Sequence, residues 1–296
     1  MQMVMLNSTV GEHEFYCCGS RVLIKNGDVK VLTEPRIVYC PLLEDFYGVK
    51  KVDREAVKNC VRMKVEGFGF CCRDRAFDPS MIVPYGSSEI ISTCMRDGLI
   101  DCAVIVCEGA GTVISNDPQS VQEIGARLTG IVRTTPIGEI IEHIKGRGGV
   151  VLNESTAEID QFKGVVKAVE LGFKRIAVTV AHFDSKSIEY IRRFEKESHA
   201  QIAIFSICNT CATEEDAERI LNGADVVCAS ASKIIREKVG SKALMQLGVA
   251  IPVFALTKLG KRLLLTYLMD FDENIVAFRS RRMPYIIEGR GPTIRE

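Results

Sequence analysis

The stretch Cys102-Ala103-Val104-Ile105-Val106-Cys107-Glu108-Gly109-Ala110-Gly111-Thr112 joins an apolar, strand-forming run to a loop that carries two glycines. Glycine lets backbone approach a ligand closely, and consecutive accessible amides form a nest that attracts anions. Thr134-Thr135-Pro136 adds the start of a helix, whose first amides lack intrahelical partners and also favour negative charge. Ser230 and Ser232 follow another strand-like run and supply hydroxyls. Glu108, Gly109, Ala110, Gly111, Thr112, Thr134, Thr135, Ser230 and Ser232 are therefore a candidate site for a phosphorylated or carboxylated small molecule. There is no G-x-G-x-x-G and no P-loop, so the pattern does not specify a nucleotide. The same residues equally fit a structural role, with glycines in tight turns and hydroxyls capping helices.

Thiols are the second source of chemistry. The chain has twelve cysteines, many for a protein with no sign of export. Cys60, Cys94, Cys102 and Cys228 lie in apolar, periodic contexts and read as small buried hydrophobes. Cys40-Pro41 is a loop pair of the kind that recurs at iron–sulfur ligands. Cys40, Cys71 and Cys107 form a candidate set for a metal or iron–sulfur cluster, each from a separate loop; reduced thiols in packed positions are the competing reading. Cys208-Asn209-Thr210-Cys211 places a Cys-x-x-Cys before a helix, where a lowered thiol pKa would suit redox or metal chemistry. It lacks the second pair of a zinc ribbon. His182, directly after a strand, is the histidine to test as an acid–base group.

The elements that must hold these residues alternate. Arg21 to Leu32 reads as a hairpin around Asn26-Gly27. A helix capped by Asp53 follows over 53–66, and another opens at Gly86-Ser87-Ser88. Strands are expected at 102–107, 150–152, 175–180, 201–207, 225–228 and 249–255. Asp117-Pro118 begins a helix with Val121, Ile124 and Leu128 on one face, and Ile137, Ile140, Ile141 and Ile144 form one stripe of the next. Further helices are expected at 160–171, 185–197 (capped by Asp184), 214–222 (capped by Thr213), 232–239 and from Thr257 to about Leu268. Pro252 places the strand 249–255 at a sheet edge. This alternation specifies an α/β fold with a mainly parallel sheet covered by helices. A small N-terminal β-containing lobe (1–84) precedes the α/β body (85–270, with a subdivision near 150–160), and 271–296 forms a tail. In an open parallel sheet, ligands bind beyond the carboxyl ends of the strands.

Basic and acidic residues balance at 38 each, so no net field draws nucleic acid or an anionic membrane. No run reaches the roughly 18 apolar residues of a membrane span. Met1-Gln2-Met3-Val4-Met5 lacks a basic leader and a cleavage site, so a cytoplasmic protein is expected. Arg279-Ser280-Arg281-Arg282 is a local basic run, read as a solvated tail or as a dock for an acidic partner.

Several long stretches resemble the methanogenesis marker protein 8 family. They are Glu34 to Leu42, Tyr85 to Ile91, Leu99 to Ile114, Val121 to Ile137, Ala157 to Ala181 and Ala229 to Lys261, so the resemblance spans roughly Val22 to Leu268. Glu123 stands where the family pattern has glycine, and the Cys208/Cys211 pair is not a family feature. The family has no assigned reaction and lends no residue roles. The resemblance implies an anaerobic archaeal cytoplasm and an accessory role in methanogenesis. The role it points to is maturation of methyl-coenzyme M reductase or its nickel cofactor, with a protein partner in that process. The cysteine set would then hold an iron–sulfur cluster or metal. The alternatives are an α/β enzyme acting on an anionic small molecule and a non-catalytic assembly factor.

Overall fold

A computed structural model describes residues 8–125, 130–287 and 289–295. Leu128 and the Met1 to Met5 segment lie outside the described residues. The N-terminal sheet is a meander of β1 (Glu12–Cys17), β2 (Ser20–Lys25) and β3 (Asp28–Val31). Asn26 and Gly27 take φ of 49° and 83°, the left-handed pair that the tight β2–β3 turn requires. Then come β4 (Ile37–Tyr39), α1 (Pro41–Tyr47) and α2 (Arg54–Phe68). Asp53 caps α2 by accepting from the Ala56 amide at 2.8 Å. The helix buries Val57, Cys60, Val61 and Val65 against the meander.

The body begins with α3 (Ser87–Arg96) and β5 (Cys102–Cys107), followed by β6 (Gly111–Ser115), α4 (Pro118–Gly125), β7 (Gly130–Arg133), α5 (Gly138–Gly146) and β8 (Val150–Val151). Next come α6 (Gln161–Glu170), β9 (Arg175–Ala181), α7 (Lys186–Ser198), β10 (Gln201–Ile207), α8 (Glu214–Gly223) and β11 (Val226–Cys228). The chain closes with β12 (Met245–Leu247), β13 (Val253–Ala255), α9 (Lys258–Met269) and β14 (Thr293–Ile294). Eight strands form one mixed sheet in the order β12-β13-β11-β10-β9-β5-β6-β8. Its centre, β11-β10-β9-β5, is parallel. Residues of α3, α5 and α9 close one apolar layer on the sheet, and residues of α6, α7 and α8 close the other. Both faces are covered, as a parallel sheet requires. Among the described residues no helix is long and apolar enough to cross a membrane.

Three differences from the sequence reading matter. First, β5 does not lead into a helix. It folds straight back as β6, paired from Ala103↔Ser115 to Cys107↔Gly111. Gly-Thr-Val-Ile-Ser is wholly buried, so it reads by composition as loop and helix approach but behaves as a core strand. Second, β13 lies inside the sheet with β12 at the edge; Pro252 stands just before β13 and removes no ladder hydrogen bond. Third, strands stitch the lobe to the body and the tail to the lobe. β7 joins β1 in the N-terminal sheet, and β14 pairs with β4, so the tail returns as a strap.

The tight β5–β6 turn rests on Gly109 and Gly111, both left-handed at φ of 76° and 74°. A Cβ on Gly111 would lie 2.2 Å from the Ala157 carbonyl oxygen. Backbone conformation and overlap act together there, so Gly111→Ala is expected to cost on the order of 3 kcal/mol. Urea unfolding checks this, and Gly138→Ala, which meets nothing within 4 Å, serves as the control.

Candidate functional site

The parallel sheet divides where the chain order reverses. From β5 the chain runs outward to β6 and β8, then crosses back to build β9, β10 and β11 on the other side. Such a switch point is where an open α/β sheet offers a crevice. Here the opening is measurable in the ladder. β5 and β9 pair only from Cys102↔Ile176 to Val104↔Val178, while β9 continues with β10 to Ile207↔Ala181 and β5 continues with β6. The two halves part like a wedge. The Gln161 amide, at the first turn of α6, fills the apex and donates to the carbonyls of Val104 at 3.2 Å and Thr179 at 2.7 Å. Its own oxygen accepts from Thr112 Oγ1 at 2.9 Å. Both of these carbonyls at the fork therefore have a donor.

Above Gln161 lies a cavity of about 290 Å³, at the small end of the range for small-molecule sites. Ile105, Val106, Ile131, Ile159 and Ile207 make most of its wall, and Ser87 and Ser88 bring the start of α3 to it. Its polar groups come from strand ends: Thr179, Asp184, Cys208, Cys228 and Ser230, together with Glu89 of α3. The described lining has two carboxyl groups and no basic side chain. Glu89 is committed locally, accepting from the Val83 amide at 2.8 Å, Ser88 Oγ at 2.7 Å and Gln122 Nε2 at 2.9 Å. Asp184 is not. It belongs to a turn after β9 (residues 182–184) and accepts from Ser187 Oγ at 2.6 Å, rather than capping α7 through an amide. Burial pushes its carboxyl up to about 6, opposed by the Ser187 hydrogen bond and helped by the charge of Asp160.

The rim is held by side chains whose roles sequence patterns do not mark. Cys208 and Ser230 are left-handed without being glycine, at φ of 53° and 51°. Such geometry costs of order 1 kcal/mol and persists where the surroundings enforce it. Asn209 does so: its Nδ2 donates to the Cys228 carbonyl at 2.8 Å, and its amide donates to Ser230 Oγ at 3.1 Å. His182 Nδ1 donates to the Cys208 carbonyl at 2.6 Å. Burial holds the imidazole below its ordinary pKa, so it is neutral and acts as a brace rather than a poised acid. The only signal for Asn209 in the sequence is its place inside Cys-x-x-Cys. Burial pushes Cys208 up to about 12 and raises Cys211, so the pair does not have the low-pKa thiol expected at a helix start.

Of the nine residues expected to bind an anion, only Ser230 lines this cavity. Glu108, Ala110 and Thr112 are fully buried and engaged elsewhere. The Gly109 amide donates to Thr134 Oγ1 at 2.7 Å, Ala110 to the Cys107 carbonyl at 3.2 Å, and Thr112 to the Glu158 carbonyl at 2.9 Å. Gly111 closes on Ala157 as described above. These three amides are therefore engaged within the protein. Thr134 Oγ1 also meets His13 Nδ1 at 2.6 Å, while His13 Nε2 donates to the Val10 carbonyl at 2.6 Å. That pattern is the neutral tautomer, in keeping with burial, which lowers the His13 pKa. Thr135 Oγ1 exchanges hydrogen bonds with the Glu12 backbone at 2.9 Å. Ser232 lies in a separate groove with Arg36 and Lys233.

Glu108 instead forms a buried ion pair with Arg75, Nε to Oε1 at 2.5 Å, both side chains having no exposed surface. Arg75 also donates to the carbonyls of Glu123 at 3.2 Å and Ala76 at 3.3 Å, and its guanidinium lies 4.3 Å from the centre of the Phe77 ring. Cys107 Sγ reaches Glu108 Oε2 at 3.7 Å. Burial first, and the Glu108 charge second, push the thiols of Cys71 and Cys107 well above their ordinary range. Among the described residues no three His, Cys, Asp or Glu side chains are placed to hold a metal ion, so Cys40, Cys71 and Cys107 do not make the expected ligand set. Arg75→Met leaves Glu108 buried without its counter-charge and is expected to cost about 3–5 kcal/mol. Adding Glu108→Gln should return part of that loss. A double-mutant cycle by urea unfolding checks it, and a single-variant loss below about 1 kcal/mol would contradict the pairing.

Comparison with known proteins supplies kinship without a reaction. Residues 13–269 match the model of a family described as an uncharacterized protein conserved in archaea (DUF2099). The chain is also 40% identical over 262 residues to the uncharacterized protein MJ0054 of Methanocaldococcus jannaschii, an alignment covering 88% of this chain and 92% of that protein. The match takes in the meander, the divided sheet and every residue of the crevice, and the chain belongs to this archaeal family.

Proposed function

We propose that the chain binds a small neutral or cationic molecule with an apolar body in the crevice where β5 and β9 part, with Asp184 placed to hold or hand over a proton. One observation carries this reading: the half-buried carboxyl of Asp184 stands on the wall of a largely apolar cavity at the sheet's switch point, where burial pushes it up to about 6. Asp184 is half-buried and has no cationic partner among the described residues, and a carboxyl that is part protonated near neutral pH is a recurrent device of acid–base sites. The lining also argues on ligand charge. With Glu89 and Asp184 on the wall and no basic side chain among the described lining residues, an anion meets repulsion where a neutral or cationic group meets acceptors.

An accessory role in methanogenesis gives the biological setting of the proposal. Its support is the resemblance to the methanogenesis marker protein 8 family and a close relative in a methanogen. The proposal does not use an iron–sulfur cluster, because the three cysteines expected to hold one are not gathered among the described residues.

Thermal shift with a panel of neutral, cationic and anionic compounds tests the pocket. Neutral or cationic hits that vanish in Ala181→Phe, which fills the wall, are expected. Hits that survive that substitution, or that are all anionic, would count against the reading. Asp184 gives a second check through linkage. Its midpoint in the folded chain lies above the ordinary 3.8, so the stability it lends is fully present near pH 3.8 and lost as pH rises through about 6. Asp184→Asn is therefore expected to be more stable than the parent by on the order of 1–3 kcal/mol at pH 7.5, with the difference shrinking to nothing near pH 4. Urea unfolding across that range reads it.

A further inference from the structure

The segment 270–282, Asp-Phe-Asp-Glu-Asn-Ile-Val-Ala-Phe-Arg-Ser-Arg-Arg, leaves α9 and runs over the surface with no ladder partner and no helix. Every residue from 272 to 282 is exposed. Val276 is 86% and Phe278 61% exposed, far more than scattered surface hydrophobes need, and Met269 beside them is 84% exposed. The charges are segregated: Asp270, Asp272 and Glu273 precede the apolar centre, and Arg279, Arg281 and Arg282 follow it. Among the described residues none of these six charged side chains is in an ion pair, although helices elsewhere on the surface are laced with them.

We propose that this segment is the contact between two copies of the chain, paired antiparallel about a two-fold axis at Val276. Acid before base around an apolar centre is self-complementary only in that arrangement. With Val276 facing its own copy, Glu273 comes opposite Arg279 and Asp270 opposite Arg282, while Ile275 meets Ala277. An isologous contact satisfies both halves of the pattern at once. A parallel pairing would instead put acid on acid and base on base. An acidic protein would match only the arginines and leave Asp270, Asp272 and Glu273 repelled.

Sedimentation velocity on the full chain tests this, from about 1 µM to about 500 µM, the range of a modest interface. The parent is expected to show a concentration-dependent dimer. Arg279→Glu with Arg282→Glu, and separately Asp270→Arg with Glu273→Arg, should each be monomeric. An equimolar mixture of those two variants should dimerise again, because at all four substituted positions an acid then lies opposite a base. All four positions are exposed, and circular dichroism confirms that the variants fold. A parent that is monomeric throughout, a charge variant that still dimerises, or a mixture that does not recover would each overturn the proposal.

Discussion

The turn between β5 and β6 is the point on which the two parts of the molecule are fixed to one another. Glu108 enters it fully buried, and its charge is tolerable only because Arg75 arrives from the N-terminal lobe with matched geometry. The same turn receives Thr134 through the Gly109 amide, and through Thr134 the neutral imidazole of His13. Lobe, turn and the segment after β7 therefore share one polar network inside apolar surroundings. In such a network each member is costly to strand, so all are held in one arrangement.

On its other edge β5 keeps β9 only as far as Val104↔Val178, although β5 stays with β6 up to Cys107 and β9 stays with β10 up to Ala181. The sheet parts there, and the amide of Gln161 takes up the carbonyls of Val104 and Thr179. The crevice is thus a product of topology rather than of a mobile loop. Asn209 and His182 then brace the strand ends that face it, using backbone carbonyls as their targets. The result is a small apolar space with one raised carboxyl, built on rigid elements.

Much of this was legible in the residues, but unevenly. Local patterns located the stripe Ile137, Ile140, Ile141 and Ile144, the caps Asp53 and Thr213, and the Asn26-Gly27 turn, because each rests on contacts within a few residues. The rule that ligands lie beyond strand ends also led to the region of Ser230 and to the loop after β9. It failed at Glu108 to Thr112. Glycines that admit a ligand and glycines that admit another stretch of backbone look alike in sequence, and here Ala157 occupies the space. Arg75 was invisible for a related reason: its partner is 33 residues away, and nothing local marks an arginine that is to be buried. The surroundings of the cysteines were no more legible. Cys71 and Cys107 stand among packed residues beside a carboxylate, surroundings that keep a thiol protonated.

The central claim is that a topological fork creates an apolar pocket whose carboxyl group is kept partly neutral. Carbon-13 NMR of the chain labelled at aspartate carboxyls, followed against pH with Asp184→Asn for assignment, addresses it most directly. One resonance, absent from the variant, is predicted to titrate with a midpoint of about 6. A midpoint at the ordinary aspartate value of about 4 would mean that Asp184 is hydrated in the folded chain, and that the pocket does not have the character described.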